Sequence, residues 1–135
     1  MPELKKYQMF IDGRWVDSDT KKTFETLNPE NNKPWAVVPE ASASDVDRAV
    51  KAAQKAFEGE WPKMLARDRA KYLRAIGNKL RENSELLGKI ETIDTGKLYR
   101  ETYQQAKYIA EYYDYYAGLA DKVEGTVLPI DKPNI

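Results

Sequence analysis

The stretch Glu91-Thr92-Ile93-Asp94-Thr95-Gly96-Lys97 marks the end of one helix and holds a carboxylate in an unusual position. Gly96 tolerates the left-handed conformation that ends many helices, so it predicts the C-terminus of a helix that Ser84 caps at its start. Asp94 then lies in the last turn, where the helix already presents about half a negative charge, and a carboxylate there is unfavourable by roughly a few tenths to one kcal/mol. We therefore expect another group to compensate the Asp94 charge.

Two kinds of group can compensate Asp94. One is a positively charged side chain, either Lys97 or a neighbouring arginine. The other is a bound metal ion held by the Asp94 carboxylate and by backbone carbonyls of a neighbouring loop, since hard cations prefer oxygen ligands. A phosphate-binding loop is excluded, because Thr95-Gly96-Lys97 follows a helix rather than a strand and lacks the upstream glycines.

A tyrosine-rich helix is predicted immediately after this stretch, from about Tyr99 to Ala120, and it holds seven of the nine tyrosines of the chain. The first of its two faces has two interpretations. It can be buried between layers, with a hydrogen-bond partner for each tyrosine hydroxyl, or it can form the wall of a pocket for a small organic substrate. A second face is expected to pack in the core. The first face carries Gln104, Tyr108 and Tyr112, and the second carries Ala106, Ile109, Tyr113 and Tyr116.

Two further helices are predicted upstream. After Ser42 the apolar residues recur with the helical period, and Ser44 and Asp47 have the spacing of the N-cap and N3 residues of a capping box. Another helix is predicted from about Ala66 to Asn83. The apolar stripe of the first consists of Val46, Ala49, Val50, Ala53, Ala56 and Phe57, and that of the second of Leu73, Ile76 and Leu80.

The first forty residues read as short strands and turns. Asp12-Gly13 between two apolar runs predicts a tight hairpin, because both residues tolerate a positive φ. Prolines after two further runs disfavour helix in the residues before them. The predicted strands are Gln8–Ile11, Arg14–Val16, Phe24–Leu27 and Trp35–Val38, with a further candidate at Val127–Ile130.

The composition excludes several classes of protein. The 135 residues contain neither cysteine nor histidine, so they cannot form a thiolate nucleophile, a Cys/His zinc site or a Ser-His-Asp triad. Because 22 basic residues balance 22 acidic ones, we expect no nucleic-acid partner and no membrane partner. Residues 1–6 lack the apolar core of a signal peptide, and we expect a cytoplasmic protein.

The order of five sequence blocks carries a family resemblance. The blocks are Phe10–Val16, Phe24–Pro29, Ser44–Val50, Glu91–Lys97 and Tyr115–Lys122. Together they resemble the N-terminal quarter to third of the NAD(P)-dependent aldehyde dehydrogenase superfamily. The resemblance covers nearly the whole chain, and five blocks in the family's order are far more specific than any one of them.

The resemblance implies an α/β fold. Residues 1–135 would be the N-terminal part of a cofactor-binding domain that is Rossmann-like in the complete protein. This part would be mostly helical, with short strands at about 8–38 and helices at about 44–120. The chain would be truncated before the dinucleotide-binding and catalytic segments, including the cysteine nucleophile, and we therefore expect the 135-residue chain alone to be inactive.

The resemblance also implies ligands and partners. The complete protein would oxidise an aldehyde to a carboxylic acid with NAD or NADP, as a homo-dimer or homo-tetramer, and this part would pack against the rest of its own chain. Members of the family bind potassium or sodium at positions that match the Thr26 and Leu27 carbonyls and the Asp94 carboxylate. Gln104 and Tyr108 match positions that line the family's substrate tunnel. An alternative from another class is a self-sufficient helical module that binds a protein partner through the tyrosine-rich helix.

Overall fold

In the computed structural model, which describes residues 4–127, short strands precede long helices. The strands are β1 (Lys5–Lys6), β2 (Met9–Ile11), β3 (Arg14–Val16), β4 (Thr23–Asn28) and β5 (Lys33–Pro39); the helices are α1 (Ala43–Glu58), α2 (Ala66–Glu82), α3 (Ser84–Thr95) and α4 (Tyr99–Leu119). This order confirms the predicted mixed architecture, mostly helical with short strands. The predicted strand at Val127–Ile130 lies outside the described residues except for Val127, which belongs to no strand.

The predicted hairpin is formed by β2 and β3, which pair antiparallel with Phe10 opposite Trp15. Asp12 has φ 49° and Gly13 has φ 76°, so both central residues of the turn adopt the positive φ that a two-residue turn of this hand requires. Strand β1 was not predicted from the sequence. It has only two residues, which is too short for an alternation pattern to reveal a strand. It pairs in parallel with β5.

Strands β4 and β5 pair antiparallel in a three-stranded sheet of order β1-β5-β4. The register changes within this pair, because Thr26 lies opposite Ala36 whereas Leu27 lies opposite Pro34. Trp35 is therefore an extra residue on β5, as in a β-bulge. Bulges change the direction in which side chains leave a strand.

Helix α1 begins two residues earlier than the sequence predicted. Ser42 is the N-cap, its hydroxyl accepts a hydrogen bond from the Asp45 backbone N–H at 3.2 Å, and its own N–H donates to the Asp45 carboxylate at 2.8 Å. The prediction of Ser44 and Asp47 is thus wrong. Both pairs have capping-box spacing, and Asp45 has the further advantage of a hydrogen bond at 2.8 Å from Ser18, which lies 27 residues away.

The predicted cap of α3 is also wrong. Asn83 occupies the N-cap position, and Ser84 is the first helical residue. The Ser84 hydroxyl is buried and donates to the Arg81 carbonyl at 2.9 Å, so it satisfies the end of α2 rather than the start of α3. The two helices follow each other so closely that α3 has no room for a separate capping residue.

Asp45 joins the start of α1 to the loop after β3. The residue is 1% exposed, and its carboxylate accepts hydrogen bonds from Ser18 and Ser42, from the Asp19 backbone N–H and from Arg48. The Ser42 backbone N–H, followed by the Ser42 and Ser18 hydroxyls, holds the pKa of the Asp45 carboxyl well below its usual range, although burial acts in the opposite direction. The carboxylate is therefore ionised throughout the neutral range.

We expect Asp45→Asn to lower the melting temperature of the full-length protein by roughly 1–3 °C at neutral pH, because an amide cannot accept all of these donors. Since the folded pKa is depressed, the stabilisation by Asp45 is present above the unfolded pKa of about 3.9 and is lost as the pH falls below it. The matched control is Asp47→Asn, whose exposed carboxylate pairs with Lys51. Scanning calorimetry at several pH values measures both, and equal melting temperatures for the two variants would contradict the assignment.

Helices α2 and α3 pack on α4 through small residues. A Cβ placed on Gly88 would lie 2.9 Å from the Cα and backbone N of Tyr103, and one placed on Gly77 would lie 3.1 Å from the Ala110 carbonyl oxygen. The buried face of α4 accordingly consists of Thr102, Ala106, Ala110 and Ala117. Such close approach of helix backbones leaves room only for small side chains.

The face of α4 that was expected to pack in the core consists of Ala106, Ile109, Tyr113 and Tyr116, and the expectation is confirmed only in part, since Ala106 is buried. Tyr113 is half-buried, but Ile109 and Tyr116 are exposed, because large side chains lie at the flanks of these close helix crossings.

The predicted apolar stripe of α1 is exposed as well, with 72% of Phe57 accessible. Within residues 4–127, no helix combines the length and the apolar character that crossing a bilayer requires.

Candidate cation site and substrate surface

The end of α3 meets strand β4 at Asp94. The Thr26 hydroxyl donates to Asp94 Oδ1 at 2.8 Å, across 68 residues of sequence. The indole Nε1–H of Trp35 donates to the same oxygen at 3.3 Å. The structure thus brings Thr26 and Asp94 into contact through the Thr26 hydroxyl, whereas the predicted metal ligand of Thr26 is its backbone carbonyl.

The glycine that ends α3 holds the same two segments together. Gly96 has φ 74°, and its N–H donates to the Thr92 carbonyl at 2.9 Å, as predicted for a left-handed helix end. A Cβ on Gly96 would lie 3.0 Å from Cγ of Pro29. Two features therefore favour glycine at position 96: the positive φ and the proline that packs against it.

Lys97 does not form the expected ion pair with Asp94. Lys97 Nζ instead pairs with Glu91 Oε1 at 2.8 Å, so this interpretation is wrong for Lys97. Among residues 4–127, no lysine or arginine forms an ion pair with Asp94. Its hydrogen-bond donors are neutral, so the full negative charge remains at the negative end of the helix dipole.

The third predicted ligand, Leu27, follows Thr26 at the bulge. Leu27 lies opposite Pro34, which has no N–H and so cannot donate to the Leu27 carbonyl. No group of three or more His, Cys, Asp or Glu side chains suited to a metal ion occurs in residues 4–127. One carboxylate with neutral carbonyl oxygens has the charge and hardness for a monovalent cation, and it does not have the soft donors that transition metals prefer.

The second candidate site is the exposed face of α4. Gln104 and Tyr108 lie one turn apart on it, and Tyr108 is 57% exposed. The Tyr112 hydroxyl donates to the Tyr108 hydroxyl at 3.2 Å, which raises the pKa of Tyr112, and their rings meet edge to face at 5.1 Å. Tyr115 extends this aromatic surface. Within residues 4–127 no other element covers this face, so both predictions stand: it can be buried by another part of the complete protein, or it can line a pocket for a ligand.

Comparison with known proteins gives a consistent answer. The sequence profile of the aldehyde dehydrogenase family matches residues 15–135. The chain is 41% identical over 133 residues to (Z)-2-((N-methylformamido)methylene)-5-hydroxybutyrolactone dehydrogenase of Acinetobacter baylyi, an alignment that covers 98% of this chain and 27% of that protein. It is 43% identical to the mitochondrial aldehyde dehydrogenase family 2 member B4 of Arabidopsis thaliana, covering 96% of this chain and 24% of that protein.

Solved structures agree with the sequence comparisons. Betaine aldehyde dehydrogenase from Staphylococcus aureus, solved in complex with NAD+, matches with a TM-score of 0.85 and 41% identity over 94% of this chain and 25% of that one. The aldehyde dehydrogenase of Bacillus cereus matches with a TM-score of 0.87 and 39% identity over 95% of this chain and 26% of that one. The chain thus spans about a quarter of the length of these relatives. From the profile match and the shared fold, the chain belongs to the aldehyde dehydrogenase family.

Proposed function

We propose that the complete protein oxidises an aldehyde to a carboxylic acid, with NAD or NADP as the hydride acceptor. The observation that carries this proposal is the match of the family profile to residues 15–135. The relative from Staphylococcus aureus, solved with NAD+, supports NAD in particular. The nucleophile that adds to the aldehyde must come from outside these 135 residues, since they contain no cysteine.

The proposal predicts that activity requires the full-length protein. With NAD or NADP and a series of aldehydes, we expect the full-length protein to form reduced nicotinamide in a reaction that depends on both the aldehyde and the cofactor. The 135-residue chain alone is the matched control, and we expect no turnover above background from it. A full-length protein that is folded and binds the cofactor, yet oxidises none of the aldehydes, would refute the proposal.

The complete protein is further proposed to be a cytoplasmic homo-dimer or homo-tetramer. Support for the assembly comes from the family membership, together with the exposed apolar residues of α1, which leave surface for other parts of the protein to cover. Sedimentation of the full-length protein tests the assembly, and a stable monomer at micromolar concentration would contradict it.

The β4–α3 junction is proposed to bind potassium or sodium. The ligands are the Thr26 and Leu27 carbonyls and the Asp94 carboxylate. Three features support the site: the Asp94 carboxylate, which forms no ion pair with any residue in the range 4–127, its place at a helix C-terminus, and Pro34 opposite Leu27. A bound cation supplies the positive charge that the helix end otherwise lacks.

We expect Asp94→Ala to remove the cation-specific part of the stability. In the parent full-length protein, the melting temperature in potassium chloride should exceed that in tetramethylammonium chloride at equal ionic strength, because only the small cation fits among the oxygen ligands. In Asp94→Ala the difference should fall to near zero. The matched control is Glu85→Ala, which removes an exposed carboxylate from the other end of α3. An Asp94→Ala protein that keeps the parent's potassium dependence would count against the site.

The exposed face of α4 is proposed to line the path to the reacting aldehyde, with Gln104 and Tyr108 in contact with the substrate. Its exposure and its aromatic character support this role, because substrate pockets are mostly apolar with a few polar groups. Neither residues 4–127 nor the comparisons support the alternative of a self-sufficient module that binds a protein partner through this face. Tyr108→Ala in the full-length protein tests the proposed contact with the substrate.

A further inference from the structure

We infer that Trp35 is a positioning residue for Asp94: its indole N–H, with the Thr26 hydroxyl, occupies one carboxylate oxygen and leaves the other for the cation. This inference rests on the proposed cation site and adds a residue that the sequence did not single out. Trp35 is half-buried in β5, and its Nε1–H lies 3.3 Å from Asp94 Oδ1.

The bulge in β5 is what brings the indole to Asp94. Thr26 lies opposite Ala36, so in a regular ladder the side chains of these two residues lie on the same face of the sheet. Trp35, as the neighbour of Ala36, would then lie on the opposite face from Thr26. Because Trp35 is the extra residue of the bulge, the alternation is broken, and Trp35 and Thr26 reach the same carboxylate.

The two donors make the two oxygens of the Asp94 carboxylate different. Both bond to Oδ1, and within residues 4–127 no hydrogen bond to Oδ2 is formed. Since a hydroxyl and an indole are neutral, they fix the orientation of the carboxylate without neutralising its charge. Oδ2 is therefore the oxygen that remains for a cation.

The indole is itself held in place from the other side. The ring of Tyr7 packs edge-on against Trp35, with centroids 6.1 Å apart and an angle of 73° between the planes. The ammonium group of Lys5 lies 4.7 Å from the centre of the Tyr7 ring. With its ring held by Tyr7, Trp35 can orient the Asp94 carboxylate without touching the cation itself, as residues behind metal ligands commonly do.

The test measures cation affinity rather than stability alone. Potassium is titrated into the full-length protein at constant ionic strength, and the rise in melting temperature gives an apparent dissociation constant. For Trp35→Phe, which keeps a ring but removes the donor, we expect this constant to rise about 10-fold, the lower end of the range for residues that orient metal ligands. Trp15→Phe is the matched control, since Trp15 lies on the exposed hairpin, and its constant should not change.

A second variant separates orientation from folding. Benzothienylalanine at position 35 keeps the shape of tryptophan and replaces only the N–H by sulfur, so its constant should rise as for Trp35→Phe with the fold retained. If the parent responds to potassium, Asp94→Ala does not, and both Trp35 variants keep the parent's constant, the positioning role is overturned while the cation site stands. If the parent itself shows no potassium-specific stabilisation, the cation site fails, and this inference fails with it.

Discussion

Gly88→Ala is expected to lower the free energy of unfolding of the full-length protein by about 1–3 kcal/mol, although alanine is a better helix former than glycine. The new Cβ would lie 2.9 Å from the Cα and N of Tyr103, which are backbone atoms and cannot move aside without shifting α4. Such a shift would also lengthen the hydrogen bond at 2.9 Å from the Thr102 hydroxyl to the Gly88 carbonyl. The clash and the weakening of this hydrogen bond therefore both lower the free energy of unfolding.

Gly118→Ala is the matched control for this substitution. Gly118 is also helical, but a Cβ there meets no atom of residues 4–127 within 4 Å, so the same exchange should stabilise the protein by up to about 1 kcal/mol through helix propensity alone. Melting temperatures of the two variants should thus move in opposite directions. Two shifts of the same sign would mean that the close crossing of α3 and α4 at Gly88 does not determine the packing.

Tyr108→Ala is expected to change the substrate selectivity of the full-length enzyme. If the Tyr108 ring narrows the path of the aldehyde, its removal should shift the ratio of kcat/KM between acetaldehyde and a bulky aromatic aldehyde by roughly 10–200-fold in favour of the bulky one. The loss of stability should be small, because the ring is 57% exposed and its removal leaves no internal cavity.

Tyr113→Ala provides the comparison. Tyr113 is half-buried on the side of α4 that packs against Gly77, so its removal should reduce the melting temperature more than Tyr108→Ala does and should leave the selectivity nearly unchanged. Steady-state kinetics and calorimetry on both variants decide the assignment. An unchanged selectivity ratio together with a severe loss of stability for Tyr108→Ala would identify Tyr108 as a packing residue of the complete protein.

Local signals predicted most of the elements correctly. Asp12-Gly13 identified the hairpin, and Gly96 identified the end of α3, because each requires a backbone conformation that few residues tolerate. The helical periodicity placed α2 and α4 within about a residue of their observed ends. These features depend on residues close to one another in the sequence, which is why pattern and turn chemistry suffice.

The errors arose where a distant residue decides between local alternatives. Ser42 with Asp45, and Ser44 with Asp47, have the same spacing, and the contact of Asp45 with Ser18 selects the first pair. On α4, periodicity identified the face of Ala106 and Tyr113 as the packed one, but it wrongly included Ile109 and Tyr116 in the buried stripe. Which residues of this face are buried depends on Gly88 and Gly77, which lie on other helices and admit only small residues opposite them.

The candidate cation site was predicted only in part. The helix dipole identified Asp94 as a carboxylate in need of a partner, and the family resemblance supplied Thr26 and Leu27. Trp35 was not predicted, because its contact with Asp94 depends on a bulge that breaks the alternation of β5. Pro34 is a local signal for such an irregularity, but it does not indicate that the Trp35 indole reaches a residue 59 positions away.

Two segments 68 residues apart, β4 and the end of α3, meet at Asp94, and the central proposal is that they hold a monovalent cation. The most direct measurement is the anomalous diffraction of crystals of the full-length protein grown with thallium(I) in place of potassium. An anomalous peak within coordinating distance of the Asp94 carboxylate and of the Thr26 and Leu27 carbonyls is the predicted result. Thallium bound elsewhere in the protein, with no peak at Asp94, would contradict the claim.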